Sequence, residues 1–157
     1  MPNREISATT NKNAGTLRMG LYRRCIAQYN EAIGQEFFIE AVAIIESLIA
    51  DRLESRLSMK HGGKEEKRRF STIGRLSSEL GGKNADEPLE AREVYNEIRI
   101  WAKNRNRVIH EIVKLEENEL PDWDNRYSRA RQTAEEGMSL FRKLDRIVNI
   151  LNKNESC

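Results

Sequence analysis

The sequence is poor in the residues that build metal centres and covalent staples. It has two cysteines, Cys25 and Cys157, and two histidines, His61 and His110. The cysteines form no Cys-x-x-Cys pair, and no His-x-x-x-His or His-x-x-Glu spacing joins the histidines to a ligand set. A structural metal, a disulfide framework and a cofactor are therefore not expected. Long apolar runs are missing as well. The longest, Ala41 to Ile45, falls far short of the ~20 residues that span a bilayer. Met1 to Asn13 is polar and lacks the apolar stretch of a secretory leader. The expected setting is reduced and cytoplasmic, with no membrane partner. A dominant charge is lacking too: 27 basic residues oppose 25 acidic ones, for a net +2. No global field draws nucleic acid, so local patches must carry any such attraction. Strand signals are absent, with no alternating β-branched run and no Asn-Gly or Asp-Gly turn.

What remains is helical periodicity. At 157 residues the chain suits one domain that buries its own core. Residues 1–15 read as a flexible tail and residues 16–153 as a single helical domain. Thr16 is the expected cap of a first helix, with Leu17, Leu21, Cys25, Tyr29 and Ile33 inward, Tyr22 and Ile26 alongside, and Gly34 as its stop. A second helix spans about Gln35 to Met59. Its apolar arc, from Phe37 to Leu57, is broad enough to make it central. Gly62 and Gly63 break it, and a basic loop follows. Ser71 is placed as the cap of a short helix with Ile73, Leu76 and Leu80 inward. Asp86 and Pro88 open a fourth helix that is expected to reach about Glu117, with proline in its first turn. After Pro121, Asp122 or Asp124 caps the last helix. Its seam alternates by three and four: Tyr127, Ala130, Ala134, Gly137, Phe141, Leu144, Val148, Leu151. The small residues of that seam permit a close helix approach, either inside a bundle or in a free coiled coil. The expected fold is all-α, a bundle of four long helices and one short one.

The residues that carry chemistry lie in Arg105-Asn106-Arg107-Val108-Ile109-His110. Arginine is a permanent cation matched to phosphate, and histidine moves protons near pH 7. On a helical wheel Arg105 falls in the middle of an apolar face with Val94, Ile98, Trp101, Ala102, Val108, Ile109, Ile112 and Val113. A lone guanidinium there is costly to desolvate. Three arrangements relieve the cost: a carboxylate partner from the second helix, Glu40 or Glu46; a local distortion; or a face that meets water or a second subunit. Asn106 and His110 stack four apart on the flank of this face, with Lys103 and Lys114 beside them. Trp101 is expected in the core. Trp123 is expected to pack at a helix start or to offer a stacking surface to a base.

Trp101-Ala-Lys-Asn-Arg105-Asn106-Arg-Val-Ile-His110-Glu resembles the signature of HEPN domains (higher eukaryotes and prokaryotes nucleotide-binding). The segment from Phe38 to Leu57 resembles the long central helix of the same family, and the likeness covers most of residues 16–153. The resemblance implies a homodimer with motif helices facing each other across a two-fold axis. It also implies metal-independent ribonuclease activity, often in toxin–antitoxin, abortive-infection or antiviral systems with an antitoxin or sensor protein as partner. Arg105 and His110 match the catalytic positions and Asn106 the supporting polar one. The tyrosine that one subset carries two residues after the histidine is replaced here by Ile112. Some members are not nucleases, so a catalytically silent module that binds RNA, a nucleotide or a protein is the second expectation. For RNA, Lys103, Arg107 and Lys114 near the motif and Lys64, Lys67 and Arg68 in the loop are the expected contacts. That loop also reads as a solvated turn, partly neutralised by Glu65 and Glu66.

Overall fold

A computed structural model describes residues 12–62, 71–115, 117–118 and 122–156. Among them are five α-helices and no strand: α1 (Lys12–Gly34), α2 (Phe38–Lys60), α3 (Ile73–Gly81), α4 (Leu89–His110) and α5 (Trp123–Glu155). α3 is the short one, with 9 residues. None of them is long and apolar enough to cross a membrane.

α2 is the central helix. It packs against α5, α1 and α3, while α4 lies against α5 and α3. Side-chain contacts fix the directions. Phe38 lies against Tyr127 with the rings tilted, and Arg52 reaches Asp145, so α2 and α5 run parallel. Trp101 donates to the Thr133 carbonyl at 2.8 Å, while Lys143 pairs with Glu97. Those contacts run in opposite order along the two chains, so α4 is antiparallel to α5. Tyr29 meets the Ala134 carbonyl and Tyr22 meets Phe141, which makes α1 antiparallel to α5 as well. One end of the bundle therefore gathers the C-termini of α1 and α4 and the N-termini of α2 and α5.

The seam of α5 faces the core. Gly137 marks the tightest approach: a Cβ built there would lie 2.7 Å from Ile45 Cγ2 and 2.7 Å from the Trp101 ring. Only a residue without a side chain lets α2 and the Trp101 indole of α4 both close on α5 at that level.

Several boundaries differ from the sequence expectation, each for a tertiary reason. α1 begins at Lys12, so Thr16 lies inside the helix and does not cap it. Its inward face holds for Tyr22, Cys25, Ile26, Tyr29 and Ile33, which pack on the core, and fails only in the first turns. Tyr22 donates to Asp51 and Arg18 pairs with the same carboxylate at 3.6 Å, which leaves Leu17 (70 %) and Leu21 (62 %) exposed. Thr72, not Ser71, caps α3 by accepting from the Arg75 N–H. Pro88 is the N-cap of α4 and stands outside its first turn, after Asp86 at φ 47°. α4 stops at His110, well before Glu117. Past that point the guanidinium of Arg126 donates from Nη1 to the carbonyls of Glu111 (3.2 Å) and Ile112 (2.7 Å). Those carbonyls are thus satisfied from α5, and Val113 points to solvent with 82 % exposure. Of the two proposed caps for α5, Asp122 serves, accepting from the Asn125 N–H at 3.1 Å.

At the opposite end, a charged cluster that the sequence pattern hid is buried. Arg56 of α2 is 1 % exposed. It forms bidentate contacts with Glu87, at 2.6 and 3.1 Å, and with Glu155, at 2.6 and 2.9 Å. Lys60 and Tyr95 also donate to Glu87, at 2.8 and 2.6 Å. Burial pushes the Glu87 carboxyl up, but the donors Arg56, Lys60 and Tyr95 together hold it below its ordinary value. Burial and the hydrogen bond to Glu87 push the Tyr95 hydroxyl up. The cluster ties the end of α2 to the entry of α4 and the last turn of α5. Every charge in it is paired, which is the condition for a buried ion to be tolerated.

Candidate functional site

The motif lies on the last two turns of α4. Arg105 sits in the buried stripe, 8 % exposed, because Trp101 and Val108 on the same face are drawn into the core. The first of the three arrangements is the one found. Arg105 Nη2 lies 2.7 Å from Glu46 Oε1, on α2. The pair is close to the surface, since the Glu46 side chain keeps 30 % of its exposure. Arg105 Nε is buried and has no hydrogen-bond partner among the described residues. Glu40, the alternative partner, is exposed and accepts from Gln28 at 3.2 Å.

Asn106 and His110 are both exposed. No hydrogen bond or ion pair joins either side chain to another described residue. His110 is the last residue of α4, so its ring stands at the rim of the bundle end. Five residues of helix turn the chain by roughly 500°, which leaves Arg105 and His110 about 140° apart around the axis. Within one chain the guanidinium points inward toward α2 and the imidazole points outward. They do not meet on a common atom.

The expected basic contacts divide into three groups. Lys103 is exposed on the His110 side of α4. Arg107 and Lys114 line a small hollow of about 40 Å³ at the corner where α4 ends and α5 begins. Lys114 lies past the helix end and not on its flank, with Nζ 3.9 Å from Glu111. Lys64, Lys67 and Arg68 lie outside the described residues. Lys60 is taken up by Glu87 and the Ala85 carbonyl, and His61 is the exposed C-cap of α2.

Two residues of this corner were not anticipated. Arg126 and Arg129 complete the hollow, with Val108, Ile112 and Glu111. A signal for Arg126 exists in the sequence. The first turn of a helix favours acidic residues because of the macrodipole, and α5 carries Asp124 there but also Arg126. A cation set against the dipole needs another reason, and Arg126 supplies one by bonding the two carbonyls just past the end of α4. Trp123, one turn before Tyr127, is 58 % exposed and stacked on the Tyr127 ring at 6.3 Å and 27°.

Chemically, this end offers an exposed proton-transfer group, an exposed amide and several cations. Among the described residues no group of three His, Cys, Asp or Glu side chains is arranged to hold a metal ion. Compared with protein-family models, curated proteins and solved structures, the chain matches none of them.

Proposed function

We propose that this protein is a metal-independent endoribonuclease of the HEPN type, acting in a toxin–antitoxin, abortive-infection or antiviral system. The reading rests on the motif resemblance and on one observation in particular. His110 is exposed and engaged by no other described residue, while Arg105 faces roughly 140° away around α4. Both can act on one phosphate only if a second copy of the chain supplies one of them. A two-fold dimer does so, and it also doubles the single histidine of the motif.

In that composite site one imidazole takes the proton from a ribose 2′-OH. The 2′-oxygen attacks the adjacent phosphorus, and the bond from phosphorus to the 5′-oxygen breaks. The second imidazole gives its proton to the departing 5′-oxygen. The guanidinium of Arg105 stabilises the charge that builds on the phosphoryl oxygens. Asn106 orients a phosphate or the imidazole. The products are a 2′,3′-cyclic phosphate and a 5′-hydroxyl, and DNA resists for want of the 2′-OH.

One observation favours a second reading. Arg105 is already neutralised by Glu46 at 2.7 Å, which suits a structural anchor in a module that binds RNA without cutting it. RNA incubated in EDTA with wild type, Arg105→Ala and His110→Ala separates the two. The nuclease reading expects cleavage by wild type and loss in both variants. RNA binding without cleavage, unchanged by His110→Ala, establishes the binding module instead.

A further inference from the structure

The corner between α4 and α5 gathers cations. Its hollow of about 40 Å³ is lined by four cations, Arg107, Lys114, Arg126 and Arg129, against one carboxylate, Glu111. Ligand pockets for whole bases or nucleotides run to roughly 300–1,000 Å³, so this one is matched to a compact anion. Arg126 is fixed by its Nη1 bonds to the Glu111 and Ile112 carbonyls just past α4, with its Nη2 buried. Arg129 is exposed one turn further along α5.

The hollow also adjoins the motif. Arg107 is one turn before His110, and residues three apart on a helix face each other at roughly 5–6 Å. An anion held at Arg107 is therefore a near neighbour of the imidazole. On the other side Trp123 is three residues before Arg126. One face of its ring is supported by Tyr127, whose hydroxyl donates to the Glu36 carbonyl at 2.7 Å. The indole is thus a braced platform that stays 58 % exposed. A cation hollow beside a braced aromatic is the pairing that single-stranded nucleic acid uses, with phosphate on charge and base on ring.

We infer that this corner is a substrate-positioning subsite for single-stranded RNA. One backbone phosphate sits among Arg107, Lys114, Arg126 and Arg129, and an adjacent base stacks on Trp123, so that the next phosphate reaches His110. The inference rests on the RNA reading above but not on cleavage.

The test uses the full chain and a short single-stranded 2′-O-methyl oligoribonucleotide, which lacks the attacking hydroxyl. Binding is read by fluorescence anisotropy across a salt series. Wild type is expected to bind, with affinity falling as salt rises. Arg129→Glu is expected to weaken binding and to flatten the log–log salt slope by about 0.7 or more. Trp123→Ala is expected to weaken binding by about 5- to 150-fold at unchanged slope, with Trp123→Phe recovering most of it. Both side chains are exposed, so the variants keep the fold, which circular dichroism checks. Wild-type affinity in both variants overturns the subsite. So does an absence of binding by wild type, or a Trp123→Ala effect confined to self-association. A chain that binds as expected yet leaves natural RNA uncut keeps the subsite and loses the nuclease reading.

Discussion

Replacing Glu46 by glutamine removes a charge and leaves the shape. The consequence follows from where its partner lies. The Arg105 side chain is 10 % exposed and the Glu46 side chain 30 %. Breaking a fully buried pair costs about 3–5 kcal/mol, and an exposed pair contributes about 0–1 kcal/mol. A pair with one end buried and the other at the surface falls between, so Glu46→Gln should destabilise by roughly 2 kcal/mol. For a chain of this size that lowers the melting temperature by about 4–8 °C. Arg105→Met should recover part of the loss in the Glu46→Gln background, because the stranded charge is then gone. A double-mutant cycle by urea unfolding measures this coupling, and about 1–2 kcal/mol is expected. The nuclease reading adds a functional sign. Arg105 released from Glu46 has its whole charge available for a phosphate, so Glu46→Gln should bind RNA more tightly while folding less stably. A coupling near zero would show that Arg105 and Glu46 are not bonded in solution. Unchanged RNA affinity would show that the guanidinium never meets phosphate.

Gly137→Ala sets two effects against each other. Alanine gains about 1 kcal/mol of helix propensity over glycine. The added methyl, however, would stand 2.7 Å from Ile45 Cγ2 and from a Trp101 ring that is held by its bond to Thr133. Overpacking of about 1–3 kcal/mol should win, and calorimetry should show a melting temperature lower by a few degrees. Glu155→Gln tests the buried cluster through pH. Hydrogen bonding to Arg56 holds the Glu155 carboxyl below its ordinary value of 4.5. The folded chain therefore releases this proton more readily than the unfolded one. The stabilisation is complete above 4.5 and disappears as pH falls through the depressed folded value. Urea unfolding should find wild type more stable than the variant at neutral pH, with the gap closing in acid. A gap constant across the acid range would refute the linkage.

Periodicity made the helices legible. Apolar residues at helical spacing mark each segment, and the alternation of small and large residues from Tyr127 to Leu151 marks the innermost face of α5. The need of Arg105 for a carboxylate could also be read, because an apolar stripe leaves a guanidinium few alternatives, and α2 supplied Glu46. What escaped depends on contacts distant in sequence. Ile112 and Val113 continue the apolar rhythm of α4, yet the helix stops at His110, and Arg126 from the next helix takes the Glu111 and Ile112 carbonyls just past that end. Leu17 and Leu21 continue the stripe of Cys25, Tyr29 and Ile33, yet they stay exposed where α1 meets α2 through Tyr22 and Arg18 on Asp51. Arg56 and Glu87 lie 31 residues apart and read as ordinary surface charges. Only the packing of α2, α4 and α5 buries them together. At the motif, a spacing of five places two side chains on opposite slopes of one helix, and spacing alone does not tell which slope is covered.

The most direct test of RNA cleavage by the Arg105–His110 motif is the chemistry of the cut ends. RNA treated in EDTA with purified wild type and His110→Ala is examined for its new termini by mass spectrometry. The expected result is a 2′,3′-cyclic phosphate and a 5′-hydroxyl from wild type and intact RNA from His110→Ala. Intact RNA with both proteins, or the same ends at the same rate from both, would contradict it.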